Sequence, residues 1–195
     1  MKRTLLTLFI SSFALISTAQ SIRSVDRGEW LFSAGLNTVN SLGTRNPVEG
    51  AGDWAYRFPL SFGLETKWFD IFSIEAALSV NGVSANQRLD AAGPPTEDLT
   101  YVAIDTNLKY YFGEYIFPRA DWLDFYVAGG VGLFVFDNAN MSFNLGGGAM
   151  FWINRRRTIA IKPQVMAKFG LNSSKESYKY PNNHYQHSIM AVFVL

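Results

Sequence analysis

The stretch TIAIKPQVMAKF, at residues 158–169, alternates apolar and polar side chains with a period of two. Ile159 and Ile161 fall on one side of the alternation, and Lys162 and Lys168 fall on the other. Successive side chains of an extended strand point to opposite faces, so the pattern predicts a strand with one apolar face and one charged face. Such a strand must separate two environments, and the fold of the whole chain has to provide both.

The same alternation recurs at strand length along most of the chain. The strongest repeats lie at 54–68, 73–81 and 102–112, and weaker ones lie at 30–39, 124–136, 142–153 and 185–195. No helical stripe of comparable length competes with them. Together with residues 158–169, these stretches predict eight strands.

The connections between the predicted strands alternate between short and long. After the second, fourth and sixth strands come a tight turn near Asp70, the segment 113–122 and the turn 154–157. Longer polar or Gly/Pro-rich loops follow the first, third and seventh strands, at 40–53, 87–99 and 170–184. This arrangement is typical of an up-and-down barrel in a bacterial outer membrane, with the short turns in the periplasm. Segment 113–122 is long for such a turn, and DNAN at 137–140 is short for such a loop.

The class of barrel depends on which face of the strands meets which solvent. A soluble barrel buries its apolar face, whereas a membrane barrel turns that face toward lipid, and the alternation alone fits both. Charged residues make up 17% of the chain, against roughly 25% in soluble domains, and aromatic residues make up 15%. Trp and Tyr flank the apolar stripes, and the strand number is even. We therefore predict an all-β fold, an eight-stranded antiparallel up-and-down transmembrane β-barrel. The barrel has to be closed, because lipid offers no hydrogen-bond partner to the backbone of an unpaired strand edge.

The first residues predict export. Lys2 and Arg3 precede an apolar run and a small-residue site ending at Ala19, which is the pattern of a cleaved secretory signal peptide over 1–19. The alternative, an uncleaved anchor, needs roughly 20 apolar residues, and this run is shorter. The barrel domain is then expected over 20–195, with basic and acidic side chains nearly balanced, so no nucleic-acid partner is predicted. The chain has no cysteine and cannot use disulfides.

Eight charged side chains fall on the polar faces of the predicted strands. They are Arg57, Glu65, Lys67, Glu75, Asp105, Lys109, Lys162 and Lys168. The interior of an eight-stranded barrel is just wide enough for side chains to fill, and buried charges must pair because a lone one costs several kcal/mol. We predict a polar plug in the lumen, and an ion-conducting lumen is the alternative.

Two of these carboxylates are expected to meet. Glu65 and Glu75 are equally far from Asp70, so a hairpin centred there would set them face to face, where they could share a proton like a catalytic pair. The interpretation that we favour separates them by a cation, which would be Arg57, Lys67 or Lys109.

Proline and glycine interrupt the strand pattern. Pro59 and Pro163 cannot donate a ladder hydrogen bond, so we expect a bulge or a strand end at each. The glycines at 129–132 and 146–148 do not open a helix, which excludes a phosphate-binding loop. Inside strands they favour room for a neighbouring aromatic side chain or a sharp bend.

Two further clusters invite a binding-site interpretation. His184 and His187 are three apart, so in a strand they face opposite sides, and we predict neither a metal site nor a cofactor. Arg155, Arg156 and Arg157 are most simply a solvated turn, and the alternative is that they meet anionic headgroups.

The second half of the chain resembles the small outer-membrane β-barrel proteins of the OmpA and OmpX type. The resemblance is carried by residues 124–172, DFYVAGGVGLFVFDNANMSFNLGGGAMFWINRRRTIAIKPQVMAKFGLN, and by the final run NHYQHSIMAVFVL. The resemblance rests on glycine and aromatic spacings across the predicted barrel. It implies a final strand that carries a signal for the barrel-insertion machinery, at Ser188, Met190, Phe193 and Leu195. Met190 stands where the family has glycine, and Leu195 where phenylalanine is frequent.

Lipid-modifying enzymes share this class of barrel, and a deacylase of that kind would show a histidine and a serine two apart with a partnering acid. Here His187 and Ser188 are adjacent and no acidic residue follows, so we predict no enzyme activity.

The resemblance implies an integral protein of the outer membrane, surrounded by outer-membrane lipid, with a structural or surface-interaction role in adhesion or envelope integrity. Two alternatives belong to other classes. One is a narrow, porin-like channel. The other is a soluble periplasmic barrel that binds a hydrophobic ligand, with the stripe from Trp54 to Trp68 lining its cavity.

Overall fold

The computed structural model of the protein describes residues 29–41, 46–48, 50–69, 71–87, 94–136, 138–171 and 183–195. The expected signal peptide at 1–19 lies outside these residues. Eight strands follow one another: β1 Trp30–Asn40, β2 Leu60–Phe69, β3 Phe72–Val83, β4 Leu99–Tyr111, β5 Leu123–Val135, β6 Ala139–Trp152, β7 Ile159–Gly170 and β8 His184–Val194. A 3-10 helix at Ala51–Asp53 precedes β2, and one helical turn, α1, spans Gly113–Ile116.

The strands form one closed barrel in which each pairs antiparallel with its neighbours in sequence, and β8 closes onto β1. The predicted eight-stranded antiparallel barrel is therefore confirmed. Following the register partners from Trp30 once around the barrel leads to Asn40, ten residues further along β1. A stagger of this size tilts the strands against the barrel axis, as closure requires. No strand edge is left unpaired, so the wall can face a solvent that offers no hydrogen bonds.

The barrel has a turn end and a loop end. The connections β2–β3, β4–β5 and β6–β7 meet at the turn end, where the Leu195 N–H also donates to the Trp30 carbonyl at 2.8 Å. The long β4–β5 connection fits there because it folds into α1, whose first N–H, that of Gly113, donates to Asp124 Oδ1 at 3.0 Å. The connections β1–β2, β3–β4, β5–β6 and β7–β8 lie at the loop end.

The second strand starts later than the alternation predicts. Residue 54 was its expected start, but β2 begins at Leu60, directly after Pro59. Pro59 has no N–H to give to a ladder, so the expectation of a strand end is confirmed there. Before it, Ala55 makes an isolated bridge with Val39 that holds the β1–β2 connection against β1.

Pro163 behaves differently, and the expectation of a bulge or strand end is wrong for it. It lies inside β7, opposite Ile189 of β8. Toward β6, the partners step from Gly148↔Gln164 to Phe151↔Ile161 with no change of register. The missing N–H of Pro163 therefore coincides with a short gap in the β6–β7 ladder, while the β7–β8 ladder continues.

Side chains on the outer wall are apolar and exposed, whereas the side chains in the middle of the interior are polar and buried. Outward residues include Phe62, Leu64, Leu108, Val131, Leu145 and Ile189. The stripe between Trp54 and Trp68 also faces outward, so it does not line the cavity that the soluble-barrel alternative requires. An apolar wall around a charged interior is the reverse of a soluble barrel and defines a transmembrane one. Among the residues described, no helix is long and apolar enough to cross a membrane.

Two apolar clusters lie in the interior, one on each side of a polar layer. The turn-end cluster consists of Leu31, Tyr111, Tyr126, Ala128, Met150, Trp152, Ala160, Met166 and Val192. The loop-end cluster consists of Val39, Ala55, Val83, Tyr101, Ala103, Phe134 and Phe136. Lys109 Nζ lies 4.7 Å from the Tyr126 ring centroid and Lys168 Nζ lies 5.8 Å from that of Tyr101, so the charged layer touches both clusters.

Candidate functional site

Four charges from four strands meet in the polar layer. Lys109 Nζ lies 2.7 Å from Glu65 Oε2 and 2.8 Å from Glu75 Oε1. Lys162 Nζ lies 2.5 Å from Glu75 Oε1 and 3.8 Å from Glu65 Oε2. We call these residues the four-charge cluster. All four side chains are at most 1% exposed, so two positive and two negative charges are buried together.

The register sets Glu65 directly opposite Glu75 on the β2–β3 hairpin, as its symmetry predicts. Both lysines of the four-charge cluster contact both carboxylates, so the two acids are bridged by cations. Ser73 Oγ and the Tyr111 hydroxyl also donate to Glu65 Oε1, at 2.6 and 2.5 Å. This arrangement stabilises two ionised carboxylates and leaves no need for a shared proton.

A second ion pair lies nearer the loop end. Lys168 Nζ donates to Asp105 Oδ2 at 2.6 Å, and Asn144 Nδ2 donates to Asp105 Oδ1 at 2.8 Å. Ser142 Oγ in turn donates to Asn144 Oδ1 at 2.8 Å. A Cβ at Gly132 would overlap Asp105 Oδ1, so the carboxylate fits only because that strand position has no side chain.

The remaining two predicted interior charges lie at opposite ends. Lys67 is buried at the turn end, with its Nζ 5.1 Å from the Tyr111 ring centroid. Arg57 lies outside the interior, because it precedes β2 in the β1–β2 connection. Its side chain is 40% exposed and forms an ion pair with Asp98 at the loop end. The Ala85 N–H, and after it Arg57, hold the pKa of the Asp98 carboxyl below its ordinary value.

A chain of uncharged polar side chains, which the sequence analysis did not single out, continues toward the loop end. Gln186 Nε2 donates to Ser79 Oγ at 2.6 Å, and the hydroxyls of Ser79 and Ser61 lie 2.9 Å apart. Asn81 Nδ2 donates to Asn37 Oδ1 at 2.7 Å. These residues could have been found from the sequence, because each of them falls on the polar side of the alternation in its strand. The alternation places these side chains inside, but it does not predict which of them hydrogen-bond to one another.

A small cavity lies within the polar layer. A cavity of about 10 Å³ lies among Glu75, Asp105, Asn107 and Lys168, which is room for about one water molecule. Glu75 Oε2 and Asn107 Oδ1 are buried and have no hydrogen-bond partner among the described residues. Both atoms accept hydrogen bonds, so a single donor such as water suits this cavity.

The two histidines lie on opposite sides of the wall, as their spacing predicts. His184 is buried inside, with Nε2 3.0 Å from the Tyr101 hydroxyl. His187 faces outward and stacks on Trp54, with ring centroids 4.4 Å apart and planes 7° apart. In the described part of the chain, no group of three or more His, Asp or Glu side chains is arranged to hold a metal ion.

The four residues of the expected insertion signal follow the alternation of β8 and the residue after it. Ser188 and Met190 point inward, and both line the small cavity. Phe193 faces outward on the wall, and Leu195 is exposed just beyond the strand at the turn end. Their role in insertion stays a prediction.

Two adjacent glycines of β5, Gly130 on the inward face and Gly129 on the outward face, provide a matched pair of substitutions. A Cβ on Gly130 would overlap the Thr106 carbonyl and Asn107, whereas the nearest atom to a Cβ on Gly129 is the Asn144 carbonyl oxygen at 4.0 Å. Gly130→Ala is therefore expected to lower the free energy of unfolding by about 1–3 kcal/mol, as overpacking does. Urea unfolding in phospholipid vesicles measures this loss.

Gly129→Ala is the control, and we expect it to stay within about 0.5 kcal/mol of the wild type. Equal losses in the two variants would contradict the inward packing of Gly130.

Comparisons with known proteins agree with this fold. No protein-family model and no curated protein matches the chain. Among solved structures, the N-terminal β-barrel domain of Pseudomonas aeruginosa OprF is 12% identical with a TM-score of 0.51, over 87% of this chain and 100% of that one. Neisserial surface protein A is 9% identical with a TM-score of 0.53, over 88% and 99%. The outer membrane protein AlkL, determined in lipid bilayers, is 15% identical with a TM-score of 0.52, over 91% and 94%.

The class that fold and interior define is the small eight-stranded transmembrane β-barrel. The resemblance to outer-membrane barrels of the OmpA and OmpX type is thus confirmed in the three-dimensional structure. At these identities the likeness establishes the fold, and the role of the chain has to be argued from its own residues.

Proposed function

We propose that the protein is an integral barrel of the outer membrane with a plugged polar lumen, that it has no enzyme activity, and that its role is structural or surface-interacting. The observation that carries the proposal is the inverted distribution of polarity, with exposed apolar side chains around buried, paired charges. In this proposal residues 1–19 are a cleaved signal peptide, and the insertion machinery reads Ser188, Met190, Phe193 and Leu195.

The plug is supported by the interior packing. A conducting lumen needs a continuous water-filled path, whereas the polar layer leaves a cavity of about 10 Å³ and apolar clusters lie on both sides of it. Opening such a path would require several buried ion pairs to separate at once. Removing one partner of a buried pair typically costs about 3–5 kcal/mol.

A surface role is supported by the loop end. Short turns of such barrels face the periplasm, so the loop end is directed outward from the cell. There Tyr56 and Phe58 are exposed beside the Arg57–Asp98 ion pair. Gln87 Nε2 donates to the Asp53 and Trp54 carbonyls at 3.0 and 2.8 Å, which ties the β3–β4 connection to the β1–β2 connection. A rim held in this way suits the display of a fixed surface.

The membrane location is tested by cell fractionation and by gel mobility. We expect the protein to stay with the outer-membrane fraction until detergent is added, and to migrate differently in SDS before and after boiling, because the closed barrel resists unfolding. Release into the soluble periplasmic fraction without detergent would contradict the proposal.

The plug is tested by conductance in a planar phospholipid bilayer. Protein whose unboiled gel mobility shows a folded barrel is expected to give no steady conductance above that of the lipid alone. Long-lived open channels from the same folded sample would favour the channel alternative instead.

A further inference from the structure

A pocket of about 320 Å³ opens at the rim of the turn end, between the segment after α1 and the β6–β7 turn. Arg119, Asp121 and Trp122 approach it from the first side. Trp152, Arg155 and Arg157 line the second side. The Trp152 N–H donates to the Trp122 carbonyl at 2.7 Å, so the two walls are joined by a backbone hydrogen bond.

The β6–β7 turn has a fixed shape. Asn154 Oδ1 accepts from the backbone N–H groups of Thr158 and Ile159 at 3.0 and 3.2 Å, and its Nδ2 donates to Thr158 Oγ1 at 2.6 Å. Arg157 has a φ of 53°, which is uncommon for a residue other than glycine. Its guanidinium carbon lies 4.9 Å from the Trp152 ring centroid. The turn therefore presents its arginines from a defined backbone.

The charge of the pocket favours an anion. Three arginines and one aspartate, Asp121, line it and give a formal charge of +2. Planar guanidinium groups bind phosphate oxygens through two parallel hydrogen bonds. The arginines therefore suit a phosphate better than an uncharged polar ligand. Arg119 and Arg155 are exposed, so their guanidinium groups are accessible to a ligand.

The surroundings of the pocket favour a phosphate that carries acyl chains. Trp122 and Ile153 are exposed at 56% and 66%, and Phe151 lies beside Trp122 with ring centroids 6.2 Å apart. These side chains continue the apolar outer wall up to the arginines. Tryptophan is typical of the boundary between lipid chains and water. A phospholipid can therefore place its headgroup in the pocket and its chains along the wall.

We propose that this pocket binds the phosphate of an anionic phospholipid in the membrane leaflet on the turn side. The proposal rests on the proposed membrane location of the barrel. It assigns Arg119 and Arg155 as the residues that hold the phosphate, with Arg157 fixed between Trp152 and the headgroup.

The test uses the folded barrel in vesicles of phosphatidylcholine and phosphatidylglycerol in equal amounts. After extraction in mild detergent, native mass spectrometry measures how much of each lipid stays bound. The wild type is expected to retain phosphatidylglycerol in preference to phosphatidylcholine. Arg119→Gln and Arg155→Gln are each expected to lower that retention about fivefold, the effect of one basic residue at an anionic surface.

Arg156→Gln is the matched control, because Arg156 lies in the same turn and does not line the pocket. It removes the same charge and is expected to leave lipid retention unchanged. An equal fall in Arg155→Gln and Arg156→Gln would overturn the proposal in favour of a diffuse surface charge, and so would no fall in either.

A second arm adds inorganic phosphate to the detergent-extracted protein. If the pocket retains inorganic phosphate and shows no preference between the two lipids, the ligand is a soluble phosphate and the lipid proposal is overturned. Gel mobility before and after boiling is measured on the same samples. A folded barrel without lipid preference contradicts this inference alone, whereas loss of the folded form contradicts the proposed function as well.

Discussion

Lys109→Met is expected to lower the free energy of unfolding by about 3–5 kcal/mol, the typical cost of leaving a buried charge without its partner. Lys109 Nζ contacts both Glu65 and Glu75, at 2.7 and 2.8 Å, and none of these side chains is more than 1% exposed. Its removal leaves two carboxylates with Lys162 as the cation within 4 Å. Urea unfolding in phospholipid vesicles, followed by tryptophan fluorescence, measures the loss.

Two further variants separate charge balance from packing. Adding Glu65→Gln to Lys109→Met restores one cation and one anion, Lys162 and Glu75, and keeps a carbonyl for the Tyr111 hydroxyl. We expect the double variant to be more stable than Lys109→Met alone. Arg57→Met removes a cation from the exposed pair with Asp98 and is expected to cost about 1 kcal/mol or less. Equal losses in Lys109→Met and Arg57→Met would contradict the four-charge cluster.

Val131→Arg is expected to destabilise the barrel by about 2–4 kcal/mol, the cost of a basic residue on the lipid face at the bilayer midplane. Val131 lies in the middle part of β5 and is 58% exposed on the outer wall. In a soluble barrel an arginine at an exposed site would face water and cost little. Folding into vesicles over a urea series therefore measures directly which solvent the wall meets.

Val135→Arg is the control on the same strand. Val135 is the last residue of β5, at the loop end, where an arginine side chain can reach the headgroups. Its substitution is expected to cost about 0–1 kcal/mol. A change at Val131 no larger than that at Val135 would contradict a membrane around this wall.

The alternation in the sequence predicted the fold because strand geometry acts on neighbouring residues. Ile161 and Lys162 lie on opposite sides of the wall simply because successive side chains of a strand point to opposite faces. The Glu65–Glu75 pairing was predictable for the same local reason, since a hairpin relates residues at equal distances from its turn. The alternation continues through Pro59 and so predicts an interior position for Arg57, but β2 begins only at Leu60, and Arg57 lies outside the barrel.

Contacts across the barrel were not predictable from local pattern. Lys162 meets Glu75 although 87 residues separate them, and Lys168 meets Asp105 across 63 residues. Which lysine faces which carboxylate depends on the stagger of the closed barrel, and that stagger is a sum over all eight registers. The pocket at the rim of the turn end likewise combines Arg119 with a turn that begins 35 residues later, at Asn154.

The sequence by itself determined that the chain forms strands, how many there are, and which side chains share a face, because these properties depend on a period of two along one strand. Only the tertiary structure decided that the charged face points inward, that four charges from β2, β3, β4 and β7 neutralise one another, and that a gap at Pro163 is tolerated. These outcomes follow from closure, because closing the sheet fixes the stagger, encloses one face and brings residues that are distant in the chain within hydrogen-bonding distance.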